Sequence, residues 1–441
     1  MSLDQTSAIA LLYRRIGFGA TAQELSSAVT AGYSATVTSL LGGLGQPDTG
    51  ADAIVPPTFS PIPSDLRQLR TDIAARQAYF ETLRMEGREL ITWWLARMVA
   101  STNPTQEKLT LLLHGHFPTA ISKVHYAQFM YQQNQLMRTQ GSGNFTQLTQ
   151  AIAVGPAMLI WLDASSDKAQ DPNENFAREL LERFTMGIGN YTENDVRAAA
   201  YCFSGWQLNL RTGAFSISAL DHSNAPQTFL GYPGINSGTQ VIDIATNTEA
   251  SARYVPSAMW SHLAYPVTPN DAVVSDLAPS YASDHDVGNL LRSIVTNPEF
   301  ATPTTQAGLI KQPIEYVVGV LRTLSVTAAK IQSRPAGVID VLADLGQVPF
   351  DPPSVGGWGQ NGYWLSTAAA LSRWQFARRL SQVGDISMVA DAPRRSRVAA
   401  AGQLLSIPTW SSTTAKALSS AASNPENLVT LALVSPEFVS N

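Results

Sequence analysis

The stretch NENFARELLERFTMG, residues 173–187, repeats its apolar side chains with the period of an α-helix. Phe176, Leu180 and Phe184 fall on one face of such a helix, and the charged side chains fall on the opposite face. The stretch therefore predicts a half-buried amphipathic helix. Because the same period recurs along most of the 441 residues, the chain is expected to be mainly α-helical.

Helical patterns continue toward the N-terminus. Residues 6–15 and 21–32 each have the pattern of an amphipathic helix, and Thr21 with Glu24 three residues later forms the signature of a capping box. A longer helical pattern covers residues 64–100. These segments predict that helices form most of the N-terminal half.

Two segments break the helical pattern. Residues 42–63 are rich in Pro and Gly and predict a long surface loop. Near 206–231 the residues alternate in polarity around a Gly-bearing turn at 211–213, which predicts one small β-hairpin element with an irregular return. After about Val241 the helical patterns resume.

The predicted fold is a large multi-helix bundle of the mainly α class with that single hairpin. A chain of 441 residues exceeds the usual size of one hydrophobic core. We therefore expect an N-terminal helical half, 1–205, a hairpin insertion, 206–240, and a C-terminal helical half, 241–441, packed on the first. One single domain is the alternative.

Composition excludes several classes of protein. Charged residues make up 14% of the chain, against about 25% in an ordinary soluble domain, and the net charge is −5. No basic cluster with interleaved aromatics is present, so nucleic-acid binding is not expected. The sequence contains no run of eighteen apolar residues, so no transmembrane segment is predicted. Cys202, the single cysteine, excludes an intramolecular disulfide and is expected in the core.

The first residues lack the basic-then-apolar order of a secretory signal. The chain as written is therefore expected in the cytoplasm, with export as the alternative if a leader was removed. The localisation stays open.

The charged face of 173–187 allows two interpretations. Glu174–Arg178 and Glu179–Arg183 are i,i+4 pairs in the favourable order, each worth about 0.2–0.5 kcal/mol, so a solvated surface face explains them. Alternatively, Glu179 and Glu182 aim at one point, because they are three residues apart. Carboxylates at this spacing bind metal ions in helical bundles, usually together with histidine.

The histidines that could complete such a site lie in LLLHGHF, residues 111–117. His114 and His116 diverge if both are helical, and they meet one ion only if the chain unwinds near Gly115. The metal hypothesis thus comprises His114, His116, Glu179 and Glu182 with a divalent cation. For each histidine, a hydrogen-bonded place in the interior is the alternative interpretation.

A third cluster follows the hairpin. Asp221 and His222 lie on a predicted loop, where a histidine that titrates near neutrality can perform acid–base chemistry. Chance adjacency is the alternative. Exposed tryptophans among Trp206, Trp358 and Trp364 would mark a binding surface.

Eight ordered segments resemble a bacterial family described only as domain of unknown function 1800. They include LLYRRIGFGAT, EKLTLLLHGHF, NENFARELLERFTMGIGNYTENDVRAAAYCFSGW, KQPIEYVVGVLRTL and PPSVGGWGQNGYWLSTAAALSRWQFA, and they span nearly the whole chain. The signature falls on Asn173 to Trp206 most specifically, and on His116.

The resemblance implies no established activity. It implies that many relatives are exported and are often encoded beside sulfatase-like hydrolases, so a partner of that kind is expected by analogy. This chain departs from the family at Gln227, where relatives often have Lys, and at Met259, where a basic residue is frequent. If those cations bind an anionic group in relatives, that contact is missing here.

The sequence is consistent with two alternative functions. In the first, an enzyme hydrolyses an envelope-associated substrate: Glu179 or Glu182 is general base or metal ligand, His116 is ligand or acid, and Arg178 with Asn175 holds an anionic group. In the second, the protein is a non-catalytic scaffold or carbohydrate-binding protein, and the same residues form a buried structural network.

Overall fold

A computed structural model describes residues 2–64 and 71–440. The chain is 63% helical, which confirms the mainly α class. The α-helices of the described residues are α1 (Gln5–Arg15), α2 (Ala22–Ala31), α3 (Tyr33–Gly42), α4 (Thr49–Asp52), α5 (Ile73–Ala100), α6 (Pro104–His116), α7 (Ile121–Val124), α8 (Ala127–Gln140), α9 (Phe145–Ala153), α10 (Pro156–Trp161), α11 (Glu174–Glu179), α12 (Glu193–Phe203), α13 (Gly238–Thr246), α14 (Glu249–Leu263), α15 (Ala272–Asp284), α16 (Val287–Thr296), α17 (Pro303–Gln306), α18 (Pro313–Thr323), α19 (Ala328–Ser333), α20 (Pro335–Leu345), α21 (Thr367–Val383), α22 (Ser387–Ala390), α23 (Arg397–Leu404), α24 (Ser412–Ala421), α25 (Pro425–Leu433) and α26 (Pro436–Val439).

Shorter helical turns complete the helical structure. A π-helical segment, Leu180–Thr185, continues α11, and 3-10 turns cover Ala164–Ser166, Asn361–Trp364 and Arg394–Ser396. Within the described residues, none of the helices combines the length and the apolar character needed to cross a bilayer.

Two small antiparallel hairpins interrupt the helices. Strands β1 (Trp206–Asn209) and β2 (Ala214–Ile217) form the predicted one, with Trp206 opposite Ile217. Strands β3 (Gln227–Phe229) and β4 (Tyr232–Ile235) form a second one in the segment that was expected to be an irregular return. The expectation of one hairpin is corrected to two, because the second has strands of only three and four residues, too short to show alternation.

Local signals explain several helix boundaries. Thr21 and Glu24 form the predicted capping box at the start of α2. The predicted loop 42–63 contains the short helix α4, which Asp48 caps. The predicted helix 64–100 is described from Ile73 to Ala100, and residues 65–70 of that prediction lie outside the described residues.

Two hydrophobic cores hold the helices together. The first gathers buried side chains from Leu12 to Phe300 and includes the apolar face of α11. The second combines side chains of α5, such as Trp94, with those of helices that follow Pro313, such as Tyr316 and Phe376. Packing thus crosses the predicted boundary at residue 205, because α5 of the N-terminal half contributes to a core made largely by the C-terminal half.

A buried charge cluster fixes α6 against its neighbours. Glu107, with 1% of its side chain exposed, accepts hydrogen bonds from Arg97 of α5 at 3.1 Å and from Arg138 of α8 at 2.9 Å. Trp94 donates a further bond to it at 2.8 Å. Burial acts to raise the pKa of Glu107, but the two guanidinium groups outweigh burial and hold it below its usual value. This cluster orients α6, whose last turn reaches the candidate site.

Candidate functional site

Two adjoining cavities open where the end of α6 meets α14 and the loop before α21. The inner cavity, of about 200 Å³, is lined by Lys108, Glu315, Gln312 and Trp358 among others. The outer cavity, of about 300 Å³, is lined by His116, Arg183, Tyr254, Ser257 and Ser261 among others. Both share Gly115, His262, Gly356 and Gln360. We call them together the cleft.

One wall of the cleft depends on glycine. Gly357 has a φ of +72°, and a Cβ there would lie 2.7 Å from the carbonyl oxygen of Gly115. Glycine alone accepts this conformation and this close backbone approach without strain. The Gly-rich loop can therefore pack directly on the end of α6 and bring Trp358 and Gln360 to the cleft.

His262 lies where the two cavities meet, in the last turn of α14. The side-chain nitrogen of Gln360 lies 3.0 Å from its Nε2 atom. Burial lowers the pKa of His262 to about 4, which Glu315 partly opposes and Lys108 reinforces. At neutral pH the imidazole is therefore uncharged and can accept a proton.

The floor of the inner cavity is a buried ion pair. The ammonium group of Lys108 contacts the carboxylate of Glu315, and 6% and 5% of their side chains are exposed. Burial lowers the pKa of Lys108, although Glu315 opposes this. A ligand in this cavity would meet a positive and a negative group side by side.

His116 faces the outer cavity. Its Nε2 atom lies 2.8 Å from the carbonyl oxygen of Phe184, a residue of the π-helical segment. Burial lowers the pKa of His116 to about 4, and its proximity to His262 contributes in the same direction. The cleft therefore carries two neutral imidazoles.

The acidic stretch 173–187 forms the expected half-buried helix, with one change. Its second half is a π-helix, in which the amide of Met186 donates to the carbonyl of Leu181, five residues back, at 2.9 Å. Such wide turns are rare in proteins, and those that occur are often located at functional sites. The turn directs Arg183 toward the outer cavity, and Tyr254 of α14 donates to the Arg183 carbonyl at 2.8 Å.

Glu179 and Glu182 converge on Arg183. Oε2 of Glu179 lies 3.8 Å from Nε of Arg183, and Oε1 of Glu182 lies 3.3 Å from its Nη2 atom. Tyr191 donates to the other oxygen of Glu182 at 3.0 Å. Burial raises the pKa of Glu179. Within the described residues, no hydrogen bond or ion pair joins either carboxylate to His116. The acidic stretch meets the cleft through the Phe184 carbonyl and through Arg183.

Arg178 and Asn175 lie away from the cleft. Both terminal nitrogens of Arg178 donate to Glu193 of α12 at 2.7 Å, and one lies 3.4 Å from Glu174. The expected i,i+4 pairs of this helix are thus present. Asn175 is exposed, and its backbone N–H donates to the side-chain oxygen of Asn173, the N-terminal cap of this helix, at 2.9 Å. Arg178 already has two carboxylate partners, so a ligand anion would have to compete with them.

His114 points away from His116 because α6 stays helical through both residues. It is 2% exposed, accepts a hydrogen bond from the amide of Phe350 at 3.1 Å, and packs edge-on against Trp94 and Trp358. Burial lowers its pKa to about 3. This is the interior place that the alternative interpretation assigned to it.

The predicted metal set His114, His116, Glu179 and Glu182 is not brought together. Across residues 2–64 and 71–440, no three His, Cys, Asp or Glu side chains are close enough to one another to hold a metal ion. The helical geometry explains this, since residues two apart on a helix point in different directions.

Asp221 and His222 brace the first hairpin. The ring nitrogens of His222 lie 2.8 Å from the carbonyl of Ser204 and 3.1 Å from that of Asn236. Asp221 accepts from Ser218 at 2.8 Å. Neither residue lines the cleft, so their contacts support a role in positioning the chain around the hairpin.

The tryptophans divide into core and cleft. Trp206 and Trp364 are 3% and 1% exposed, so neither contributes to an exposed aromatic surface. Trp206 packs in the core against Phe176 and Phe203. Trp358 alone of the three lines the inner cavity. Cys202 is 1% exposed, as expected of a core residue, and burial raises its pKa to about 12.

Some residues that line the cleft were not predicted as site residues, and the sequence contained one signal that could have indicated them. Lys108 and Glu315 interrupt strongly apolar helical segments, TQEKLTLLLHGHF and QPIEYVVGVLRTL, and a charge on a buried face needs a partner. His262 is a single histidine in a helical pattern, and nothing in the neighbouring sequence distinguishes it. Nothing in the local pattern pairs positions separated by more than a hundred residues.

The helical fold and the polar cleft define a mainly α-helical protein with one candidate site where five segments of the chain meet, near residues 108–116, 183, 254–269, 312–315 and 355–360. The chain belongs to the family described as Protein of unknown function (DUF1800), whose model matches residues 11–440. The resemblance seen in the sequence is thereby confirmed. No curated protein and no solved structure matches the chain.

Proposed function

We propose that the cleft is the active site of an enzyme that hydrolyses a small polar substrate by acid–base chemistry. The observation that supports this most directly is the pair of neutral imidazoles, His116 and His262, placed between Arg183 on one side and Lys108 on the other. A general base must be unprotonated at the operating pH and accessible to the substrate. Both histidines meet these conditions.

Each group has a role that follows from its place. His262 is the general base, because it lies in both cavities and can reach water held in either. Arg183, rather than Arg178, orients a negatively charged or polarised group, because it lines the outer cavity. Glu179 and Glu182 are positioning residues that hold Arg183. An envelope-associated substrate and a sulfatase-like partner remain expectations from the family resemblance.

The test compares His262→Gln with His125→Asn. His125 is exposed and lies outside the cleft, and asparagine tolerates its positive φ of 64°. Turnover of p-nitrophenyl acetate, p-nitrophenyl phosphate and p-nitrophenyl glycosides would be followed by absorbance. Loss of a general base should reduce kcat by about 10²–10⁴-fold in His262→Gln only. Absence of turnover by the wild type on every probe, or equal turnover in both variants, would count against the proposal.

A second candidate is the non-catalytic scaffold. It is favoured by the bidentate pair between Arg178 and Glu193, which ties α11 to α12 without reference to the cleft. Glu179→Gln separates the two candidates, since Glu179 touches only the Arg183 side of the site. Reduced turnover with an unchanged Tm supports the enzyme, whereas a large fall in Tm with unchanged turnover supports the scaffold.

A further inference from the structure

Four buried cationic side chains lie close enough for their charges to act on one another, and one of them lines the inner cavity. Arg14 and Arg15 come from the last turn of α1, Lys108 from α6, and Lys311 from the residues just before α18. They are 7%, 0%, 5% and 5% exposed, respectively. We call these four residues the cationic cluster.

The cationic cluster carries more positive charge than its surroundings compensate. Among the described residues, Glu315 is the one carboxylate whose charge acts on the cluster, and it is bound to Lys108. Burying a charge without a counter-charge is costly, so native proteins seldom do it without a partner or a ligand. A surplus of this size points to a missing anion.

Hydrogen-bond donors in the cluster are also unused. Nε and Nη1 of Arg15, and Nε of Arg14, are buried without a hydrogen-bond partner. The remaining bonds go to backbone carbonyls, from Arg15 to Thr305 and from Arg14 to Ser406 at 3.4 Å. A guanidinium group presents its donors in a fixed fork that matches the oxygens of a carboxylate or phosphate.

The protonation behaviour of the cluster agrees with a shortage of negative charge. Burial lowers the pKa of Arg14 to about 10 and that of Arg15 to about 9, so both are charged at pH 7. Burial, reinforced by Arg14, lowers the pKa of Lys311 well below its usual value, and Lys108 and Arg15 act in the same direction. An anion at this position would oppose each of these effects.

We propose that the cationic cluster is a buried binding site for a small oxyanion of the kind that phosphate, sulfate and carboxylate groups present. Lys108 is the member of the cluster that lines the inner cavity, together with its partner Glu315, so in this proposal the anion arrives through that cavity. The oxyanion is either a free ion or the charged end of a larger ligand whose remainder lies in the cleft. This site does not depend on catalysis in the cleft.

Binding is tested on the full chain by calorimetry with inorganic phosphate, sulfate, acetate and phenyl phosphate, each against sodium chloride of equal ionic strength. The variant is Lys311→Met, and the matched control is Lys123→Met, since Lys123 is 41% exposed and paired with Asp163 at the surface. We expect saturable binding by the wild type and the control, and affinity at least about tenfold lower in Lys311→Met. Tighter binding of phenyl phosphate than of phosphate identifies a larger ligand; equal binding identifies the free ion.

Thermal unfolding gives a second measurement that needs no variant to fold well. The Tm of the wild type should rise with phosphate beyond the rise seen in chloride. In chloride alone, Lys311→Met should be at least as heat-stable as the wild type. Methionine can still pack on the Phe438 ring, over which the Lys311 ammonium lies at 3.6 Å, and it removes a buried amine from the neighbourhood of three other cationic groups. Absence of binding for all four anions, or equal affinity in Lys311→Met and Lys123→Met, would overturn the proposal.

Discussion

Acid should destabilise this protein well above the pH at which ordinary carboxylates titrate, and replacing His262 should reduce that sensitivity. His114, His116 and His262 have folded-state pKa values of about 3, 4 and 4, lowered from 6.5 chiefly by burial. In the unfolded chain the imidazoles bind protons as soon as the pH falls below about 6.5. Their contribution to stability is therefore complete above that pH and is lost as the pH falls toward 4.

The magnitude follows from the number of protons. Each proton bound only by the unfolded chain lowers the free energy of unfolding by about 1.4 kcal/mol per pH unit. Asp167 acts oppositely, because burial raises its pKa to about 6 and the folded protein binds its proton first. Three imidazoles less one carboxyl leave two protons, or about 2.7 kcal/mol per pH unit between pH 6 and pH 4.5. For these four groups the value is an upper limit, because His116 and His262 adjoin the solvent in the cleft. Burial also lowers the pKa of His285 and raises that of Glu179, and these two effects oppose each other.

Urea unfolding monitored by circular dichroism at several pH values measures this slope directly. His262→Gln should lower it by up to about 1.4 kcal/mol per pH unit, since glutamine carries no titratable group. The matched control is His125→Asn, which replaces an exposed imidazole outside the cleft. A slope in His262→Gln equal to that of the wild type would show that His262 has the same pKa in the folded and unfolded protein, and would refute the lowering of its pKa by burial.

Three further predictions concern stability. Glu107→Gln should lower the free energy of unfolding by about 3–5 kcal/mol, because it leaves the buried guanidinium of Arg138 without a carboxylate and that of Arg97 with Asp52 alone. Glu81→Gln, in an exposed pair with Arg84, should change it far less, and chemical denaturation measures both. Gly357→Ala should cost at least about 1–3 kcal/mol by strain and close approach, and Gly362→Ala in the same segment, where a Cβ meets nothing, should cost much less. Arg178→Gln should cost under about 1 kcal/mol and leave turnover in the cleft unchanged, because its pairs are partly exposed.

Local periodicity predicted the helical class, the capping box at Thr21 and the ion pairs of the acidic helix. These features depend on residues three or four apart, which interact with one another within one element. The π-helical turn at Leu180–Thr185 could not be predicted in this way, since a change of period over six residues leaves no distinguishable pattern. The hairpin β3–β4 escaped for the same reason of length.

The candidate site was predictable only in part. The acidic stretch reaches His116 through the carbonyl of Phe184, whereas Glu179 and Glu182 contact Arg183 instead. The cleft joins residues near 108–116, 254–262, 312–315 and 356–360, and their meeting depends on tertiary packing. Sequence spacing carries no information on such pairs. Arg178 attracted attention by its family signature, yet it binds Glu193 on the surface.

The wide turn in the acidic helix also has an evolutionary consequence. A π-helical turn arises when one residue is inserted into an α-helix without lengthening it. Removing one residue between Leu180 and Thr185 would restore a regular helix. The flanking turns would keep their relative orientation, but residues within the wide turn would shift by one position, about 100° around the helix axis. Arg183 could then no longer reach both its two carboxylates and the outer cavity. Relatives that lack this extra residue would have to supply a cation from another part of the chain.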